Sequence, residues 1–247
     1  MYLIKKYIIL IFIFSNILFA SDFEVNFGCS FGCSIEFTYI KGDTPLWLGY
    51  QDGNRVDNGA TVNTIISIGR NYRVPNEKLT SISALFETGY NFYIRNRTYD
   101  EERNEYSSYL YHSLIFGGLL KLNFYNNLSF GIGCGILFPL YSETDKEDGM
   151  LGMYQSIAKF TYEKIAYMYK VPIMPYLKLN LERYLYFSEK WAFRYGLNIV
   201  YNFGMEFNMN RLRSPIHKES DYTTYGRYKF SSLGIEMILS MAFGRPK

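Results

Sequence analysis

Few residues of this chain have the types and spacing that catalysis needs. There are two histidines, His112 and His217, and Ser113 directly follows the first. A serine beside a histidine is the nucleophile and base of many hydrolases. Neighbouring side chains of a strand point to opposite faces, however, so these two would not form that hydrogen bond. We therefore predict a protein that is not an enzyme, with His112 at the outer surface of a strand and His217 in a solvated loop.

The three cysteines do not indicate a disulfide or a metal site. Cys29 and Cys33 share one strand face and lie about 13 Å apart by strand rise. A disulfide requires Cα atoms within about 7 Å. Cys134 lies in another alternating segment, and no phosphate loop, Cys–His cluster or calcium loop is present in the sequence. We expect no metal and no cofactor, with the cysteines acting as small hydrophobic groups.

The segment from Phe23 to Tyr39 alternates between two unlike faces. One face consists of Phe, Val, Cys, Ile and Tyr, whereas the other consists of Asn, Gly, Ser and Thr with Glu24 and Glu36. A soluble ligand-binding barrel would place its bulky apolar side chains inside. Here the small polar face suits a narrow lumen, and the apolar face is left for lipid.

Seven further segments repeat this alternation, which predicts an all-β chain of eight strands. They are Val62–Gly69, Ile82–Phe92, Ser113–Leu122, Leu128–Phe138, Val171–Leu181, Trp191–Gly204 and Ser232–Phe243. Short turns follow the second, fourth and sixth strands, and long polar connections span residues 40–58, 95–107, 142–156 and 208–227. This pattern predicts an eight-stranded antiparallel up-and-down transmembrane β-barrel, with periplasmic turns and extracellular loops. The segment Met150–Lys170 lacks clean alternation and fits a loop helix, an extension of the sixth strand or a hairpin that would give ten strands.

The first 20 residues have the features of a cleaved signal peptide. Lys5 and Lys6 precede an apolar run, Ile8–Phe19, and Ala20 ends it. That run is shorter than the about 20 residues of a spanning helix, and a retained anchor is the alternative. Residues 21–247 would then form one barrel domain. The chain has 26 basic and 23 acidic residues, and loss of the two leader lysines leaves it nearly neutral, so we expect no nucleic-acid partner.

The amphipathic strands resemble those of small bacterial outer-membrane β-barrels. The runs Tyr176–Ser188 and Trp191–Leu197 show the resemblance best, and the outer membrane protein A and X types and the opacity porin-like group are the most similar in style. The resemblance implies an outer-membrane protein with periplasmic termini that is inserted by the barrel-assembly machinery. Such barrels end on an aromatic residue that this machinery reads; Phe243 fits that role, although Gly244–Lys247 follow it.

Charged side chains on the inward faces are the first set of candidate functional residues. They are Glu24, Glu36, Glu87, Lys121, Lys178, Arg194, Glu206 and Glu236. Eight strands enclose only enough space for side chains, so these charges are expected to pair with one another. We predict Arg194 beside Glu236 across the last hairpin. A fully paired lumen would be closed, and the alternative is a gated pathway in which one pair exchanges partners.

Arginines of the long loops form the second set of candidates. They are Arg95, Arg97, Arg103, Arg211 and Arg213. Guanidinium groups pair well with phosphate, so these residues are expected to contact lipopolysaccharide or a host-surface ligand. The sequence therefore predicts a structural or surface-interaction protein. The first alternative is a small pore for ions or small solutes, and the second is a lipid-modifying enzyme.

Overall fold

Nine antiparallel strands and one short helix make up the described part of the chain. A computed structural model describes residues 23–41, 53–74, 76, 78–100, 105–147, 155–208 and 227–244. The strands are β1 (Phe23–Lys41), β2 (Gly53–Arg73), β3 (Leu79–Asp100), β4 (Glu105–Phe124), β5 (Leu128–Glu147), β6 (Gln155–Thr161), β7 (Met174–Tyr186), β8 (Trp191–Asn202) and β9 (Arg227–Phe243). The helix α1 spans Tyr162–Met168.

Eight of these strands close into a ring. Each of β1 to β5 pairs with the next, β5 pairs with β7, and β7, β8 and β9 follow in order. The ring closes because β9 also pairs with β1, where Glu236 lies opposite Gly32. The predicted eight-stranded antiparallel barrel is confirmed. Closure leaves no free edge on any strand of the ring where all eight overlap.

The segment Met150–Lys170 contributes a strand and a helix outside this ring. β6 pairs only with the far part of β5, from Tyr141 to Glu147. Helix α1 follows β6 along the chain and packs beside β5 and β6. The predicted loop helix is therefore present, whereas β6 is a separate strand and not an extension of the predicted sixth strand, which begins at Met174. The described residues show no further hairpin in the ring.

The strands differ in length between the two sides of the ring. Strands β1 to β5 are 19 to 22 residues long, whereas β7 has 13 and β8 has 12. All these strands begin or end at the side of the ring where the short connections 74–78, 125–127 and 187–190 lie. We call this side the turn end. The longer strands therefore project at the opposite loop end. Residues 95–100 and 142–147, predicted as loop, belong to these projections, so the long connections are shorter than predicted.

The outer wall of the barrel is apolar. Exposed fractions reach 57% for Phe27, 58% for Ile132 and 56% for Ile235. All three cysteines are free and exposed on the same wall. The exposed side chains form an apolar belt. Their position is the reverse of that in a soluble protein, in which such side chains are mostly buried. Within the described residues, no helix is long and apolar enough to cross a membrane.

The lumen is narrow and changes character along its axis. A methyl group added at Gly32 would lie 2.1 Å from the carbonyl oxygen of Ile235, so β1 needs glycine where it approaches β9. Charged and amide side chains fill the turn end. Apolar and aromatic side chains fill the loop end and form what we call the mouth cluster: Tyr93, Tyr111, Ile115, Leu137, Ile165, Tyr169, Met174, Tyr176, Val200, Met205, Phe207 and Phe230.

The mouth cluster closes the lumen because α1 and the segment after β8 fold over it. Ile165 of α1 and Met205 are each 1% exposed. The hydroxyls of Tyr111 and Tyr169 lie 3.0 Å apart. The backbone N–H of Asn208 donates to the carbonyl oxygen of Met168 at 2.7 Å, which joins the two covering segments to each other.

Candidate functional site

Lys121 is the centre of an ion-paired tetrad at the turn end of the lumen. Its Nζ lies 2.6 Å from Oε1 of Glu24 and 3.4 Å from Oε2 of Glu182. Nη1 of Arg194 lies 2.9 Å from the other oxygen of Glu182. Two acids and two bases thus balance in charge. Each is at least 96% buried, and such burial is tolerated because every charge contacts an opposite one.

Neutral donors complete the hydrogen bonds of this tetrad. Ser83 donates to Oε2 of Glu24 at 2.6 Å. The hydroxyl of Tyr184, itself fully buried, donates to Oε2 of Glu182 at 3.0 Å and accepts from Nζ of Lys121 at 2.5 Å. All four carboxylate oxygens of the tetrad therefore have a donor. A fully satisfied buried network is rigid and specifies one arrangement of the strands around it.

A second ion pair lies further from the turn end. Nζ of Lys178, on β7, is 2.5 Å from Oε2 of Glu87 on β3. These strands are not neighbours in the ring, so the pair spans the lumen. Five of the eight predicted lumen charges are thus ion-paired in these two groups, four of them by contacts that cross the lumen.

Glu236 lies in the lumen but does not pair with Arg194. It accepts hydrogen bonds from Ser30 at 2.9 Å, Asn63 at 3.1 Å and Asn198 at 3.2 Å. The predicted pair is wrong because the register of β8 and β9 places Ser240 opposite Arg194.

Arg194 instead pairs with Glu182 on its other neighbour, β7. The sequence reasoning missed Glu182 because it ended that strand at Leu181. The alternation Lys178, Asn180, Glu182 continues inward for one more step, and following it would have found the residue.

Arg95 belongs to the lumen and not to a loop, which corrects the prediction. It is 2% exposed, donates to Thr38 and lies 3.7 Å from Asp57. Its guanidinium also stacks 4.8 Å from the ring centre of Phe230. The physical reason is that β3 continues to Asp100, so Arg95 keeps the inward direction of the alternate residues before it.

Glu36 lies near Arg95, close to the loop end. Its Oε1 accepts from Ser34 at 2.8 Å and from the hydroxyl of Tyr93. It is fully buried, so the prediction that it faces the lumen agrees with its position.

Glu206 does not face the lumen, although the alternation predicted it there. Strand β8 ends at Asn202, and Gly204 turns the chain with a φ of 63°. This left-handed conformation breaks the alternation. Glu206 therefore lies at the rim, where its Oε1 is 2.5 Å from Nζ of Lys170. The half-exposed pair helps to hold α1 against the segment after β8.

His112 and Ser113 point to opposite sides of β4, as the strand geometry requires. Nδ1 of His112 lies 2.5 Å from the hydroxyl of Tyr90 on the outer wall, whereas Ser113 is fully buried. Arg103, Arg211, Arg213 and His217 lie outside the described residues, as does the side chain of Arg97. Within the described ranges, no three His, Cys, Asp or Glu side chains are placed to hold a metal ion.

One charged cluster lies beyond the apolar belt, where β5 pairs with β6. Tyr141 donates to Oε1 of Glu143 at 2.6 Å, and Nζ of Lys159 lies 3.4 Å from the same oxygen. The hydrogen bond from Tyr141, with that of Lys159, lowers the pKa of Glu143 below its ordinary value. Glu143 and Lys159 thus form a partly exposed ion pair beyond the belt.

Similarity to known proteins is confined to distant likeness with solved structures. No family model and no curated protein sequence matches the chain. Among solved structures it is similar to Neisserial surface protein A (8% identity, 90% of this chain and 97% of that one, TM-score 0.36). It is also similar to the outer membrane protease OmpT from Escherichia coli (8%, 90% and 96%, 0.40). A third is the outer membrane protein OprG from Pseudomonas aeruginosa (10%, 90% and 94%, 0.35).

The β-barrel that the predicted resemblance implies is confirmed by the strand pairing of this chain. The TM-scores of these similar structures are all below 0.5, so nothing of their roles is carried over to this chain. The architecture of this chain follows from its own strand pairing.

Replacing the central cation of the tetrad is expected to destabilise the barrel. Lys121→Met leaves Glu24 and Glu182 buried without the charge they share, which costs about 3–5 kcal/mol. The matched control is Lys170→Met, because Lys170 is half-exposed in its pair with Glu206 and such pairs contribute about 1 kcal/mol or less. Urea unfolding of the lipid-reconstituted proteins measures both losses, and equal losses would contradict the assignment of the tetrad.

Proposed function

We propose that this protein is an integral β-barrel of a bacterial outer membrane with a structural or surface-interaction role. The observation that carries the proposal is the inverted burial of the barrel. Ile132 and Ile235 are more than half exposed on the outer wall, whereas Glu24 and Lys121 are completely buried. Contact of the apolar belt with water is unfavourable, whereas contact with the acyl chains of lipid is favourable. A closed ring also satisfies the backbone hydrogen bonds that a bilayer cannot.

The strand lengths support an orientation. A membrane-spanning strand needs about 9–11 residues, and β1 to β5 have about twice that number. Their loop-end halves would stand clear of the bilayer and carry the connecting segments 42–52, 101–104, 148–154 and 209–226. We therefore propose that the loop end is extracellular and that both termini are periplasmic. Lipopolysaccharide is the proposed partner of the loop arginines, and the barrel-assembly machinery would insert the chain.

The closed lumen supports a role in which the protein catalyses no reaction and lets no solute diffuse freely through it. The tetrad fills the turn end with ion pairs, and the mouth cluster fills the loop end. His112 and Ser113, the residues most similar to a catalytic pair, lie on opposite sides of the wall. The protein would then act through its loops and outer surface, and its lumen would neither pass a solute nor catalyse a reaction.

Thiol labelling tests the membrane location. In lipid vesicles, a charged thiol reagent should leave Cys29, Cys33 and Cys134 unmodified, because their exposed thiols would face acyl chains. A lipophilic maleimide should label them. The control is Lys164→Cys in a chain without the native cysteines, since the exposed Lys164 lies on α1 beyond the belt, and both reagents should label it. Rapid labelling of the native cysteines by the charged reagent would show that the wall faces water.

Binding to lipopolysaccharide tests the surface role. Arg211→Ala combined with Arg213→Ala removes two guanidinium groups, each of which would contribute up to about 1 kcal/mol to an exposed phosphate contact. We expect several-fold weaker binding to lipopolysaccharide-containing vesicles and a weaker dependence on salt. Arg183→Ala is the matched control, because Arg183 is exposed near the turn end. Unchanged binding by the double variant would remove these arginines from the proposal.

A small pore is the second candidate function, and a cavity within the lumen favours it. The cavity has a volume of about 40 Å³ and lies between the two closed ends. Conduction would require both the tetrad and the mouth cluster to separate. We expect planar-bilayer recordings of the intact protein to show no discrete current steps. Reproducible steps whose size changes in Glu24→Gln would favour the pore over the closed barrel.

A further inference from the structure

The turn end of the barrel carries an excess of exposed cations. Five basic side chains are exposed there: Arg70, Arg73, Lys78, Arg183 and Lys190. Among the described residues, Glu189 is the one exposed acid of the turn end. Outside the described residues, the sequence beside these elements adds two acids, Asp22 and Glu77, and two bases, Arg245 and Lys247. Neighbouring acids therefore do not offset the positive excess.

These five cations have no acid partner within the part of the chain that the structure describes. None of them belongs to an ion pair there. The loop end differs, because Lys159 lies 3.4 Å from Glu143 and Lys170 lies 2.5 Å from Glu206. The cations of the turn end are thus available to an anion from outside the chain.

Two of the arginines lie on the apolar wall itself. Arg183 alternates on the outward face of β7 with Leu181 and Leu185, which are 52% and 51% exposed. Arg70 lies on the outward face of β2, two residues before Tyr72, which is 54% exposed. In lipid, a long basic side chain in such a position extends towards the headgroups and keeps its charge out of the acyl chains. Each guanidinium would therefore reach the level of the headgroup phosphates.

Exposed aromatic side chains accompany the cations. Trp191 directly follows Lys190 and is 44% exposed. Tyr125 is 68% exposed, and its backbone N–H donates to the carbonyl oxygen of Lys78 at 3.2 Å. Tyrosine and tryptophan are enriched where acyl chains meet headgroups, because one part of the ring system is apolar and the other is polar. The aromatic residues thus place the cations at the same boundary.

The positions of the cations around the ring indicate what kind of partner they fit. Arg70 belongs to β2 and Arg183 to β7, and three strands separate β2 from β7 in either direction around the ring. The two arginines therefore face outward on opposite sides of the barrel. A single compact partner would not reach both, whereas a lipid leaflet surrounds the barrel. The connections 74–78, 125–127 and 187–190 are short, so they offer little surface for the sugars of a lipopolysaccharide.

We propose that the turn end binds anionic phospholipid, such as phosphatidylglycerol, through its headgroup phosphate. A guanidinium forms two parallel hydrogen bonds with a phosphate group. Each lysine or arginine near the surface of an anionic leaflet adds to the attraction. Anionic phospholipid would then be enriched in the shell of lipid around the turn end. This inference rests on the membrane location proposed above, but not on the proposed binding of lipopolysaccharide at the loop end.

Trp191 is a reporter within the proposed surface. The chain has two tryptophans, so Trp47→Phe leaves Trp191 as the source of tryptophan fluorescence. The protein is inserted into phosphatidylcholine vesicles that contain an equal share of phosphatidylglycerol or phosphatidylcholine brominated near the headgroup. We expect brominated phosphatidylglycerol to quench Trp191 more strongly, with a several-fold preference over brominated phosphatidylcholine. Added salt should reduce the preference, because it screens charges at the surface.

Variants locate the preference at the turn end. Arg183→Gln combined with Lys190→Gln removes the two cations on the side of Trp191, and it should bring the quenching by the two brominated lipids close to equality. Both side chains are exposed, so the variant should fold. The matched control is Lys164→Gln, because Lys164 is an exposed lysine of α1 at the loop end. This control should keep the preference in full.

Three results would overturn the proposal. One is equal quenching of the wild-type Trp191 by the two brominated lipids, and another is an undiminished preference in the double variant. The third is displacement of brominated phosphatidylglycerol by lipopolysaccharide more effectively than by unlabelled phosphatidylglycerol, which would assign the cations to lipopolysaccharide. Absence of quenching by either brominated lipid is a different failure, because it would contradict the membrane location itself.

Discussion

Charges enclosed by eight strands must be satisfied by other groups within the ring, and the rest of the lumen depends on this constraint. Lys121 supplies the opposite charge for both Glu24 and Glu182, and Lys178 supplies it for Glu87. Each contact joins strands that are not neighbours, so the ion pairs act as crossbars that keep the ring at one diameter. The same contacts occupy the space that a solute would need. Where these ion pairs lie, stability and closure of the barrel therefore have one cause.

The local pattern of the sequence was sufficient to predict the strands and their faces. Glu24, Lys121 and Arg194 point inward because side-chain direction follows from alternation alone. The choice of partners was not predictable, because it depends on register and on which strands meet across the lumen. Arg194 shows the difference: its direction was right, whereas its predicted partner was wrong. The partner Glu182 lies one alternation step beyond where the apolar pattern ended.

The loop end was harder to predict because the signal changes there. Above the apolar belt, both faces of a strand are polar, so the contrast that marks a strand is lost. Arg95 was consequently assigned to a loop, although β3 continues through it into the mouth of the barrel. At Gly204 the reverse occurs, and a single left-handed residue ends an alternation that the sequence continued to Glu206. Neither event leaves a periodic trace in the sequence.

The unequal strands give the loop end a particular profile. Strands β1 to β5 form a tall curved wall, whereas β7 and β8 end near the level of α1. Within the described residues, the rim is thus lower over β7 and β8 than along β1 to β5. Helix α1 lies at one side of the rim, beside β5 and β6, so a large molecule that binds α1 from solvent would be held at one angle about the barrel axis. In the proposed membrane setting, neighbouring barrels would obstruct this approach or leave it free according to their rotation about the barrel axis.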